Sequence, residues 1–282
     1  MSEARARTLI GVDDLAGRLA AGPGVILLHV RDEDTGKPVE GGVIPGALDV
    51  YLASDFSGPP SKAGGKRPLP DIATFEANAR KWGVKPDSLV VVYDDTSGAQ
   101  ASRAWWTFRW GGFENVRILD GGLIAWKAAG RALADTPSSP PGGGDVNMTA
   151  GNMPTIEADE AQALAREGVL LDARGKAAYV GGPTEPGKPA SGHIPGALLA
   201  PSGGNIGPDG RFKAHEELCV AFSEIGADGS RRVGVYCGSG NAAAHKIAAL
   251  HAAGVEAALY VGSWSAWSAD PDRPVATGPE PG

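Results

Sequence analysis

Cysteine is scarce. Only Cys219 and Cys237 occur among 282 residues, too few for a disulfide framework and without the Cys/His spacing of a zinc site. No apolar run approaches the ~18 residues of a membrane span. The N-terminus, Met1-Ser-Glu-Ala-Arg-Ala-Arg, leads directly into mixed polar sequence with no apolar signal core. Basic clusters are missing as well. Lys+Arg 26 against Asp+Glu 33 leaves a formal charge of −7, and no basic run suits a nucleic acid or an anionic membrane. These absences predict a soluble, cytoplasmic protein whose partner is a small molecule or another protein, and neither a nucleic acid nor a membrane.

Glycine and proline, by contrast, are abundant. Gly 42 and Pro 22 make up nearly a quarter of the chain, close to the ~25–30% at which low-complexity disorder becomes a serious reading. A disordered chain would not also be 42% hydrophobic, with seven Trp and runs such as Val25-Ile26-Leu27-Leu28 and Leu89-Val90-Val91-Val92. The excess is local: it gathers in residues 58–70, 134–154, 181–210 and 271–282.

Internal similarity decides the architecture. Val43-Ile44-Pro45-Gly46-Ala47-Leu48 returns 150 residues later as His193-Ile194-Pro195-Gly196-Ala197-Leu198. Leu27-Leu28-His29-Val30-Arg31 matches Leu170-Leu171-Asp172-Ala173-Arg174, and Val90-Val91-Val92-Tyr93-Asp94 matches Val233-Gly234-Val235-Tyr236-Cys237, both at 143. Leu119 to Trp126 matches Tyr260 to Trp267 at 141. Ordered matches at nearly constant offset mean two copies of one domain, since solenoid repeats run only ~20–50 residues. The Pro-, Ser- and Gly-rich stretch from Asp135 to Pro154 reads as an exposed linker, with the boundary near residue 145.

In the second copy, helices are expected around 156–166, 214–225 and 241–253, with strands at 169–172, 197–199, 233–236 and 257–260. Unalternated apolar runs separated by helices indicate an α/β domain with a mainly parallel sheet buried on both faces. Ligands then collect at the carboxyl ends of the strands.

One segment carries most of the chemical signal: Val235-Tyr236-Cys237-Gly238-Ser239-Gly240-Asn241-Ala242-Ala243-Ala244-His245. A strand ends, a cysteine follows at once, and a glycine-containing loop leads into an Ala-rich helix. That order sets the sulfur over a concave row of backbone N–H groups at the positive end of a helix. Both features favour the thiolate, the nucleophilic form. A lone cysteine is more often a small buried hydrophobe, but a strand end before two glycines suits a reactive one.

At this point the chain resembles the two-domain sulfurtransferases of the rhodanese superfamily, which use thiosulfate or 3-mercaptopyruvate. The resemblance rests on the Ile-Pro-Gly-Ala element of both halves, Asp172-Ala173-Arg174, Leu119-Asp120-Gly121-Gly122 and Cys237-Gly238-Ser239-Gly240. The closing run from Gly262-Ser263-Trp264 to Arg273-Pro274-Val275 completes it. It implies a tandem pair of rhodanese-like domains: a catalytically silent one over 1–140, a linker over 141–153 and a catalytic one over 154–282. Asp94 stands at the cysteine position of the first copy. The resemblance further implies that Cys237 takes a sulfane sulfur as a persulfide held by the N–H groups of residues 238–243. A thiol or cyanide, with a thioredoxin-like protein among the acceptors, then removes that sulfur without a metal or organic cofactor. Gly238, Ser239, Gly240, Asn241, Ala242, Arg174 and Lys188 are the expected donor-binding residues.

The sequence also departs from that pattern. Val180 and Gly187 stand where the mercaptopyruvate branch places two carboxylate-clamping arginines, and Lys188 offers only a point charge instead. Arg67 replaces a histidine, and Tyr51 an aspartate. The donor is therefore expected to be thiosulfate or 3-mercaptopyruvate.

Two other classes of function compete with this reading. A cysteine phosphatase needs Cys-x5-Arg, and here that last position is Ala243. A non-catalytic module that binds a partner or senses oxidants through Cys237 is the other alternative, and a binding module would need neither Cys237 nor its glycines. Among the remaining residues, His193 is expected to fix a loop and Cys219 to lie in the core. Trp264 and Trp267 are expected to pack the domain end and wall the pocket, and Trp105 and Trp106 to pack between the domains.

Overall fold

Apolar runs without alternation become strands covered on both faces. The computed structural model describes residues 2–36, 41–182 and 191–282. Its first sheet contains β1 (Leu9–Ile10), β2 (Val25–Arg31), β3 (Leu48–Tyr51), β4 (Leu89–Tyr93) and β5 (Val116–Leu119), in the order β1-β5-β4-β2-β3. The second contains β6 (Thr155–Ile156), β7 (Val169–Asp172), β8 (Leu198–Leu199), β9 (Val233–Tyr236) and β10 (Ala258–Tyr260), in the order β6-β10-β9-β7-β8. Every pairing in both is parallel. The tandem α/β architecture read from the repeat is thus the architecture of the protein. Helices end within a residue or two of the expected limits, at Ala158–Glu167, His215–Glu224 and Asn241–Ala252. The short helix Lys176–Val180 and the two-residue edge strands β1 and β6 carry too little pattern to be read from sequence.

The compact units do not follow one cut in the chain. One comprises Met1–Gly58, Pro70–Met153 and Ile206–Phe212; the other comprises Pro59–Leu69, Pro154–Asn205 and Lys213–Gly282. The stretch 141–153, read as a linker, runs along the first unit. Gly142 and Gly144 donate to the carbonyls of Lys81 and Arg80, and Val146, Met148 and Met153 are buried. Trp105 and Trp106 are fully buried in that unit. Cys219 is only half-buried on the helix His215–Glu224, its Sγ 3.6 Å from the Ala253 carbonyl, so it is not the core residue that its apolar neighbours suggested.

The recurring Ile-Pro-Gly-Ala element is a tight turn. Proline presets its own φ and glycine accepts a left-handed one, as a type II turn requires: φ is 85° at Gly46 and 87° at Gly196. Ala47 and Ala197 each donate to the isoleucine carbonyl at 3.0 Å. The isoleucine N–H then donates to a tyrosine hydroxyl at the end of the central strand, Ile44 to Tyr93 at 3.2 Å and Ile194 to Tyr236 at 3.1 Å. Burial pushes both phenols above their ordinary pKa, which keeps these anchors neutral. Each tyrosine directly precedes the residue of chemical interest, Asp94 or Cys237.

Central strand β9 carries a glycine where β4 carries Val91. A Cβ on Gly234 would lie 2.5 Å from Leu164 Cδ2 and 2.9 Å from Ile156 Cδ1, so the second core is fitted to a missing side chain. Gly234→Val should therefore destabilise the protein by about 1–3 kcal/mol through overpacking, despite the better strand propensity of valine. A lowered urea midpoint at unchanged slope checks this.

Candidate active site

Cys237 follows β9 at the carboxyl edge of the second sheet and is 2% exposed. Gly240, at φ 99°, turns the chain into the helix Asn241–Ala252, and its N–H donates to Cys237 Sγ at 3.0 Å. The first intrahelical bond runs from Ala244 to the Gly240 carbonyl. The N–H groups of Asn241, Ala242 and Ala243 consequently have no acceptor within the helix. With the helix dipole behind them, they form a cradle suited to an anionic group beside the sulfur.

The loop is held from behind by the turn that follows β10. Trp264 N–H donates to the Cys237 carbonyl at 2.9 Å and Ser265 N–H to the Gly238 carbonyl at 3.0 Å. The Ser263 hydroxyl accepts from Cys237 N–H at 3.3 Å and donates to the Tyr260 carbonyl at 2.9 Å. Ser263 performs this at φ 51°, a left-handed conformation unusual for a side chain-bearing residue. Its counterpart Gly122 adopts φ 54°. Sequence reasoning passed over Ser263; the signal was a serine at a repeat position that its partner copy fills with glycine.

Residues 59–69 form part of the same unit. A tight turn there is closed by Ser61 N–H to the Gly65 carbonyl at 3.0 Å and Gly64 N–H to Ser61 Oγ at 2.9 Å. Lys66 N–H then donates to Ser265 Oγ at 3.0 Å. Between this segment and the cysteine loop lies an open groove lined by Lys62, Lys66, Gly238, Ser239 and Trp264.

The expected donor-binding residues fall into different places. Gly238 and Ser239 line the groove, whereas Gly240 and Ala242 offer backbone N–H groups. Asn241 opens the helix with its Oδ1 buried and unpartnered. Arg174 is engaged elsewhere: Nε lies 3.0 Å from both Asp172 oxygens, and Nη2 donates to Asp172 Oδ2 and to the Gly192 carbonyl at 2.6 Å each. Burial opposes its charge, but the bonds and charge of fully buried Asp172 prevail and raise its pKa. Its guanidinium lies 4.4 Å from the Trp264 ring centre, so it props the groove wall. Lys188 and Gly187 lie outside the described residues. His193 does fix a loop, with Nδ1 2.9 Å from the Tyr179 carbonyl and its ring stacked at 3.7 Å on Tyr179. Trp267 is buried, its Nε1 donating to the Pro274 carbonyl at 3.0 Å.

The first unit shows the same cradle filled by its own side chain. Asp94, fully buried, accepts from Thr96 and Gly98 on Oδ1 at 2.9 and 2.8 Å, and from Gln100 and Ala101 on Oδ2 at 2.7 and 2.8 Å. Leu123 N–H binds the Asp94 carbonyl as Trp264 N–H binds that of Cys237. The difference is the occupant: a fixed carboxylate rather than a sulfur.

Comparison with known proteins agrees with this layout. The family model described as a rhodanese-like domain matches twice, at residues 12–129 and 157–270. The chain is 42% identical, over 98% of its length and 99% of the relative's, to the SseB protein of Mycobacterium tuberculosis, which has a provisional thiosulfate sulfurtransferase name. It is 33% identical to a 3-mercaptopyruvate sulfurtransferase of Escherichia coli, covering 87% of each chain. An anaerobic ergothioneine biosynthesis enzyme from Chlorobium limicola shares the fold, with a TM-score of 0.82 at 22% identity over 97% of this chain and 71% of that one.

Because four N–H donors converge on Asp94, removing its charge should be costly. In Asp94→Asn an amide NH2 would face two of those donors, and stability should fall by at least about 2 kcal/mol. Chemical denaturation checks this, and an unchanged midpoint would contradict it.

Proposed function

The chain belongs to the rhodanese-like domain family, and from that premise we propose that it is a sulfurtransferase working through a Cys237 persulfide. The observation that carries the reading is the Gly240 N–H at 3.0 Å from Cys237 Sγ, at the head of a twelve-residue helix. The relatives' names supply the donors, thiosulfate or 3-mercaptopyruvate.

In the first step the Cys237 thiolate attacks the transferable sulfur of the donor, the sulfane sulfur of thiosulfate or the thiol sulfur of 3-mercaptopyruvate. With thiosulfate the S–S bond breaks and sulfite leaves with the electron pair. With 3-mercaptopyruvate the C–S bond breaks, and the pyruvate carbanion equivalent takes up the thiol proton. Either way Cys237 retains the transferred sulfur as a persulfide anion, which the N–H groups of Gly238, Ser239, Gly240, Asn241 and Ala242 are suited to hold. A thiol or cyanide acceptor then attacks the outer sulfur, the new S–S bond breaks, and the Cys237 thiolate returns. Each step balances without another reactant. A thioredoxin-like protein would serve as a macromolecular thiol acceptor, and the relative from Thermus thermophilus named as a sulfur carrier protein supports transfer between proteins. Asp94 leaves the first unit without a nucleophile, so catalysis belongs to the second. Arg174 acts there as a positioning residue for Trp264.

Intact mass gives the test. Wild-type protein treated with either donor should gain one sulfur atom that cyanide removes as thiocyanate, and Cys237→Ser should gain none. Turnover in Cys237→Ser would overturn the mechanism; a wild type that never takes up sulfur would favour a non-catalytic module.

A further inference from the structure

Both donors are anions at neutral pH, one through a sulfonate-like head and the other through a carboxylate. A binding groove for them needs positive charge, and Arg174 has most of its donors bound to Asp172 and Gly192. Two other cations line the groove over the cysteine loop: Lys62 and Lys66, both exposed. The remaining side chains of the groove are uncharged. Among the described residues neither ammonium pairs with a carboxylate.

We propose that Lys66, with Lys62 beside it, receives the anionic end of the sulfur donor and so determines which donors the protein takes. The inference rests on the sulfur-transfer reading of Cys237. Its geometry is specific to these residues. Lys66 is registered to the cysteine loop by two successive hydrogen bonds, its own N–H to Ser265 Oγ and Ser265 N–H to the Gly238 carbonyl, both 3.0 Å. Gly65, at φ 71°, is pressed against the Gly262 carbonyl and Ser265 Oγ so closely that no side chain fits. The lysines are therefore carried on a segment locked to the same turn that supports Cys237, opposite Gly238 and Ser239. A flexible ammonium is a point charge that does not demand a planar partner, so charge rather than shape is what it reads. Coulomb attraction doubles when the ligand carries two charges in place of one, which makes a dianion such as thiosulfate the favoured class. For exposed lysines that attraction is screened by salt.

Steady-state kinetics with thiosulfate and with 3-mercaptopyruvate tests this, using uncharged 2-mercaptoethanol as acceptor, on wild type, Lys66→Gln, Lys66→Arg and the Lys62→Gln/Lys66→Gln pair. In Lys66→Gln, kcat/KM for thiosulfate should drop about 5–10-fold through KM, with a smaller drop for 3-mercaptopyruvate. The loss should deepen in the double variant, shrink at high salt and be largely restored by arginine. Discharge of preformed persulfide by 2-mercaptoethanol should keep its wild-type rate. A double variant within two-fold of wild type for both donors overturns the lysine proposal and leaves the persulfide reading standing. An equal loss in the discharge step overturns it too, by showing damage to the loop rather than lost donor attraction. A wild type that forms no persulfide overturns both readings together.

Discussion

Negative charge at the end of a buried parallel strand must be met by donors that do not neutralise it, and here backbone N–H groups supply them. The parallel sheet presents the end of its central strand to a loop, and the loop turns into a helix whose first N–H groups lack internal acceptors. In the first half four such donors close on Asp94, and in the second the Gly240 N–H reaches Cys237 Sγ. What surrounds each loop keeps that convergence in place: a tyrosine hydroxyl holding the Ile-Pro-Gly-Ala turn on one side, and a left-handed residue after the last strand on the other. A carboxylate satisfies the donors permanently. Under the proposed function, a sulfur in the same place stays able to exchange what is attached to it.

Most of the fold was legible because the longer elements left their own marks in the sequence. The runs at Val25–Leu28 and Leu89–Val92 lack alternation, and that alone implies strands covered on both faces. Repetition of these runs at a fixed offset then implied two sheets of the same kind. The composition of residues 141–153 misled because glycine and proline describe a chain without regular structure, not one without contacts. That stretch has little regular structure yet buries Val146 and Met148.

The site was legible only in part, for a related reason. Cys237 and Gly240 sit in one contiguous motif whose order dictates their geometry. Ser263 and Lys66 act from 26 and 171 residues away, and no local pattern announces a contact over such separations. Arg174 shows the converse. Its position at a strand end suits ligand binding, but Asp172 two residues earlier captures it in a bidentate pair, and a sequence cannot say which partner prevails. The two arginines missing around Val180 and Gly187 drew attention to one stretch of chain for a substitute cation, while the cations that line the groove are carried by another.

The hydrogen bond between Lys66 and Ser265 spans 199 residues, and this has a bearing on biosynthesis. At ~5–20 residues per second, translation separates its two ends by ~10–40 s. During that interval the ribosome displays residues 59–69 with nothing to dock on. Cys237 too is made before Trp264 and Ser265, and before β10, which lies between β6 and β9. A nascent chain therefore holds residues 59–69 long before it holds the turn on which they dock.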